Sequence, residues 1–171
     1  MKKLSTIFLL LLTASLCAQN STKATDSFMV QGAIKNELNF NLDFLKKFES
    51  KEINQAIVTK YRAASGSTAT QLKGVLLKDL LKGQRYNVNN PNELKKLSFI
   101  LKNTAGTELV YSWDQLFNSE IGNTTYIVLS TFGKQFEAMN ERILVVVGSD
   151  SASGRSYLEN LSEIDVQKVN K

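Results

Sequence analysis

Two runs dense in apolar and β-branched residues constrain this chain more than any other feature. They are "YIVLSTFG" (126–133) and "ILVVVG" (143–148). A half-exposed strand alternates apolar and polar residues, so apolar residues at consecutive positions, dense in β-branched types, predict a strand covered on both faces. A chain with two such strands needs a layer on each side of them. The remaining segments supply candidates for both layers.

"SFMVQGAI" (27–34) alternates Phe28, Val30 and Gly32 against Met29 and Gln31, the period of a strand with one buried face. In "LNFNLDFLKKFES" (38–50), Leu42, Leu45 and Phe48 fall at helical spacing behind Asn41, a residue type that caps helix N-termini. The stretch "LKKFESKE" reads as a solvated helix face. "INQAIVTKYRA" and "STATQLKGV" read as two strands joined at "ASG", with Gly66 supplying the positive φ of a tight turn.

Leu76, Leu77, Leu80 and Leu81 form one helical face that ends at Gly83. "YNVNNPNEL" reads as a loop around the single proline, Pro91. "KLSFILKN" and "ELVYSW" form a strand pair around "TAG", and Ser112 to Gln115 fits the S-x-x-Q capping box of a short helix. Trp113, just after that cap, reads as a core seal. "LSEIDVQKV" (161–169) supplies a last strand. The fold class that follows is α+β: a single domain with a mixed or antiparallel β core and about three short helices.

The ends of the chain and its missing residue types bound the function. Lys2 and Lys3, the apolar run 7–12 and Ala18 have the layout of an export signal, so residues 1–18 read as a signal peptide. Residues 19–27 then form a mobile lead-in and 28–169 the folded domain. The expected location is periplasmic or secreted. The residue before Cys17 is Leu16, where a lipoprotein signal wants a small side chain, so a lipid anchor is the less favoured outcome. No later run has the length of a membrane span.

The chain has no histidine, and Cys17 is its one cysteine. Histidine-based nucleophilic catalysis is thereby excluded, and a mature chain starting at Gln19 has no thiolate for a metal or a disulfide. No catalytic residue and no metal ligand set is assigned. Lys2 and Lys3 account for two of the 21 basic residues, leaving 19 against 16 acidic ones, scattered without a basic stripe. That pattern does not call for nucleic acid. Asn20, Asn123 and Asn160 begin N-x-S/T triplets, which a bacterial-looking signal makes irrelevant to glycosylation.

The most suggestive polar stretch is the end of "VVVGSDSASGRSYLEN" (145–160). Backbone N–H groups of a Gly/Ser loop form anion-binding concavities, and a guanidinium adds bidentate contacts. On that reading Ser149, Ser151, Ser153, Gly154 and Arg155 hold an anion. The alternative is a solvated connection in which Arg155 pairs with Asp150 or Glu159.

Three segments together resemble the sulfite oxidase-type molybdopterin-binding domain. "LKGVLLKDLL" (72–81) is similar to its G-V-x-L-x-D-L-L segment, and "NTAGTELVYSWDQLF" (103–117) to its turn, strand and capped helix. The segment 133–166 resembles its closing R-L-V-V-P strand, Gly/basic loop and final strand. The resemblance covers roughly residues 28–168 in order. It implies a mixed α+β fold and oxidoreductase chemistry at a molybdenum held by two pterin sulfurs and one cysteine.

That cysteine would fall near Tyr61, Arg62 and Ala63, where none stands, and Gly148 replaces the family's strand-end proline. Tyr61 and Arg62 then line a remnant pocket, as a stacking surface and an anion contact, or form an outward-facing pair at a strand end. Three functions remain open. One is a binding module without metal catalysis, for a small anion or a protein partner. The second is a molybdopterin-dependent oxidoreductase with an altered metal ligand, and the third a structural or interaction domain at the cell surface.

Overall fold

The computed structural model describes residues 23–131, 134–135, 138–148 and 155–169. Two β-sheets lie face to face. The first has the order β2 (Leu38–Asn41), β1 (Ser27–Gly32), β11 (Leu161–Lys168), β5 (Leu97–Asn103), β6 (Glu108–Ser112). Its only parallel pair is β1 with β11, so the first and last strands of the domain meet at its centre. The second sheet runs β10 (Tyr157–Leu158), β9 (Val145–Val147), β7 (Thr125–Thr131), β4 (Leu72–Leu76), β3 (Lys51–Glu52), with β8 (Lys134–Gln135) folded back on β7.

The second sheet is the middle layer. One of its faces, with Val75, Ile127, Val145 and Val147, packs against the first sheet's Val30, Phe99, Leu101, Ile164 and Val166. Its other face, with Leu72, Val128, Leu144 and Val146, packs against helix α2 (Gln55–Ser65) through Ile57, Val58 and Tyr61. This is why 126–128 and 143–147 carry apolar residues at consecutive positions. Alternate side chains enter two different cores, and Val145, Val146 and Val147 are all fully buried.

Helix α2 stands where the sequence suggested the first strand of a hairpin, while β4 (Leu72–Leu76) begins within the second. Ile57, Val58 and Thr59 favour strands by propensity, but their burial follows i, i+1 and i+4 (Ile57, Val58, Tyr61). The Asn54 side chain accepts from the Ala56 N–H at 2.8 Å and starts the helix. Gly66 does take a positive φ of 72°, but as the left-handed C-cap of α2, not as a hairpin turn. Tertiary cover on one face overrode local propensity.

The other short helices follow their caps. Asn41 accepts from Phe44 N–H at 2.9 Å to open α1 (Leu42–Leu45). Ser112 and Gln115 form the reciprocal capping box of α4 (Trp113–Asn118). Trp113 packs on Phe117 with centroids 4.2 Å apart and edge-on to Tyr86 at 5.3 Å, which places it as a core seal. Helix α3 (Leu77–Leu81) buries Leu77, Leu80 and Leu81. The elements not foreseen are strands β2, β3, β8 and β10, a 3-10 helix over Pro91–Lys96 and α5 (Glu120–Asn123). With α1 ending at Leu45 and β3 at Lys51–Glu52, the run "LKKFESKE" is not a helix face. Five α-helices and this 3-10 helix are thus present among the described residues, on an α+β single domain.

Candidate functional site

The polar stretch after Val147 joins β9 to β10, which pair antiparallel with Tyr157 opposite Val146 and Leu158 opposite Val145. Ser149, Ser151, Ser153 and Gly154 lie outside the described residues, so only the two ends of this connection are placed. At its start, Gly148 donates to the Thr124 carbonyl at 2.9 Å. A Cβ there would stand 2.7 Å from both Ile57 Cδ1 and Thr124 Cβ. Close packing against α2, not freedom of φ, is what requires glycine where the resembling family has proline.

At the other end the chain alternates. Ser156 and Leu158 turn into the protein, while Arg155, Tyr157 and Glu159 remain at least partly exposed. These three form one wall of a cavity of about 430 Å³. Asn103 and Thr107, from the β5–β6 turn, and Ala64 of α2 also line it, as do Ser156 and Leu158. That turn is held by the Asn103 carboxamide oxygen, which accepts from Ala105 N–H (3.0 Å) and Thr107 N–H (2.8 Å). Burial, then the nearby Glu141 carboxylate, pushes the Glu159 carboxyl above the ordinary carboxylate range.

Tyr61 sits on α2, not at a strand end, and is 2% exposed. Its ring meets Tyr157 edge-to-face, centroids 5.4 Å apart. Burial raises its phenol above the usual value, the Ser67 and Ser65 hydroxyls pull it down, and Glu141 and Glu159 push it further up. Arg62, one position on, is exposed. The structure therefore separates the two residues. Tyr61 is joined through Tyr157 to the wall that carries Arg155, and Arg62 lines neither that cavity nor the next.

A second cavity of about 500 Å³ is lined by Tyr61, by the loop that leaves α2, by Thr131 of β7 and Lys134 of β8, and by Met139 and Glu141. The sequence reading named Glu159 beside Arg155 but missed Asn103, Thr107 and Tyr157 in the first cavity and a set of hydroxyls in the second. The stretch "SGSTAT" was read as a turn running into a strand, whereas β4 begins only at Leu72. The meeting of that stretch with residues some seventy positions later depends on β4 pairing with β7.

The donor set bears on the molybdenum centre that the resemblance implies. Where the family's cysteine would fall, Tyr61 is committed to an aromatic contact and Arg62 is cationic. Among the described residues no group of three His, Cys, Asp or Glu side chains converges. Hydroxyls, amides, a guanidinium and two carboxylates are hard or neutral donors, and none replaces the soft thiolate such a metal selects. The residues present do not fit that centre.

No protein-family model and no curated protein matches the chain. The structure is similar to the crystal structure of the sulfane dehydrogenase SoxCD from Paracoccus pantotrophus. The TM-score is 0.53 at 12% sequence identity, over 85% of this chain and 39% of that one. A likeness at that identity shows the fold alone. The domain is thus a single α+β unit, distantly related in structure to part of a dehydrogenase. No helix among the described residues is long and apolar enough to cross a membrane.

Proposed function

We propose that this chain is an exported binding domain on a sulfite oxidase-type fold, without metal catalysis, and that it takes a small anionic molecule in the Arg155 cavity. The observation that carries this reading is the wall itself. Arg155 lines the same cavity as Asn103 and Thr107, a concavity within the range of about 300–1,000 Å³ usual for small-molecule sites. A guanidinium offers a planar pair of donors that suits phosphate or carboxylate. Export rests on the layout of residues 1–18.

Calorimetric titration with inorganic phosphate and with a nucleoside monophosphate tests the site on wild type and Arg155→Ala. Loss of a charge-assisted contact, about 1.5–3 kcal/mol, weakens binding at least roughly tenfold. Equal affinities would remove the anion reading. Stoichiometric molybdenum and pterin in protein purified from a molybdenum-replete host would overturn the statement on catalysis. The mass of the mature N-terminus checks export. A chain starting at Gln19 is expected, and a diacylglyceryl adduct on Cys17 would mean an anchor instead.

A further inference from the structure

The second cavity has a composition of its own. Ser67, Thr68 and Thr70 contribute from the loop after α2, and Thr131 from the end of β7. Lys134 and Glu141 add one cation and one carboxylate, while Tyr61 and Met139, both almost fully buried, lie at its base. We propose that this cavity is a binding site for a neutral polyhydroxylated ligand, a carbohydrate, separate from the Arg155 cavity.

Three features decide the class. First, serine and threonine hydroxyls both donate and accept, as sugar hydroxyls do, so a wall of four can follow either polarity of a ligand hydroxyl. Second, the charges are balanced. A free anion drawn to Lys134 meets the Glu141 carboxylate, and a cation drawn to Glu141 meets the Lys134 ammonium. A ligand with donors and acceptors but no net charge uses both. Third, Met139 and Tyr61, each 2% exposed, close the base of the cavity with carbon and not with a further charge.

The loop is also built before a ligand arrives. Gly66 caps α2 at φ 72°. The Ser65 hydroxyl donates to the Tyr61 carbonyl at 2.8 Å and accepts from Ser67 N–H at 3.2 Å, and the Ser67 hydroxyl accepts from Ala69 N–H at 3.2 Å. Those bonds hold the turn, and Thr68 and Thr70 stay exposed. A preformed wall avoids the ordering cost that a mobile loop brings to binding.

The test uses the full mature chain and a panel of neutral sugars: glucose, galactose, N-acetylglucosamine, cellobiose and chitobiose. Glucuronate and glucosamine are the charged counterparts. Saturation-transfer NMR and calorimetry read binding to wild type, Thr70→Val and Thr131→Val, with a melting curve for each. Valine keeps the β-branched shape, so both variants are expected to fold with unchanged melting. At least one neutral sugar is expected to bind saturably, and each valine variant to weaken it roughly tenfold, the effect of losing a hydroxyl from a hydrogen-bonding site. Binding of the charged sugars alone would overturn the proposal. So would binding that both folded variants leave unaltered, or no binding by any sugar in the panel.

Discussion

Replacing Thr25 by valine exchanges a hydroxyl for a methyl group and leaves the side-chain shape unchanged, yet the structure predicts a large loss of stability. The Thr25 hydroxyl shares its proton between the Leu161 carbonyl (2.8 Å) and the Arg142 carbonyl (3.0 Å), and it accepts from the Ile143 N–H at 2.9 Å. Leu161 begins β11 of the first sheet, and Ile143 leads into β9 of the second. One oxygen therefore ties the start of the domain to both layers.

Arg142 keeps a partner in the valine variant, because the Thr25 N–H also donates to its carbonyl at 2.7 Å. Ile143 does not keep the oxygen it donates to, and it is fully buried. A buried N–H left without a partner costs about 1–3 kcal/mol, and the donated bond adds about 1 kcal/mol, part of which the methyl group returns. The expected loss is about 2–3 kcal/mol, or roughly 5–10 °C in Tm for a domain of this size. Urea unfolding of wild type, Thr25→Val and Thr25→Ser measures it, with serine expected to retain most of the stability. A valine variant within about 0.5 kcal/mol of wild type, with serine the less stable of the two, would refute the reasoning.

Two glycines separate steric from conformational requirements. At Gly66 a Cβ meets nothing within 4 Å, so Gly66→Ala costs only the left-handed backbone, about 1 kcal/mol, with asparagine costing less. Gly148→Ala presses on Ile57 and Thr124 and should cost about 1–3 kcal/mol whichever small residue is used. Denaturant midpoints for the alanine and asparagine or serine variants distinguish the two cases. Glu159 has a folded-state pKa above its unfolded one, so the folded state holds its proton more tightly. Stability is therefore lost as pH rises from the ordinary carboxylate range through the raised value. Glu159→Gln should match wild type in acid and exceed it at neutral pH, and a difference that stays flat with pH would count against this account.

What could be read before folding was whatever depends on near neighbours. The Asn41 cap and the Ser112–Gln115 capping box lie within four residues of their partners, and both stand in the structure. The turn at "TAG" joins β5 to β6 as its flanking alternation suggests. Helix α2 was misread because Ile57, Val58 and Thr59 have strand propensity, while the surface that makes them helical, Val128, Leu144 and Val146, lies far along the chain. The same reading paired Tyr61 with Arg62 as neighbours in sequence. A helix turns successive residues to different faces, so the pair is split between core and solvent.

By itself the sequence determined the α+β class, two strands buried on both faces and the absence of histidine and of a thiolate at the expected metal position. These follow from residue type and short-range periodicity, which need no knowledge of distant contacts. Only the tertiary structure decided that Arg155, Tyr157 and Glu159 share a cavity with Asn103 and Thr107, and that "SGSTAT" meets Thr131, Lys134 and Glu141 at another. Both meetings depend on which strands pair and on where α2 docks. Those choices are set by burial summed over the whole domain, which no local window of residues contains.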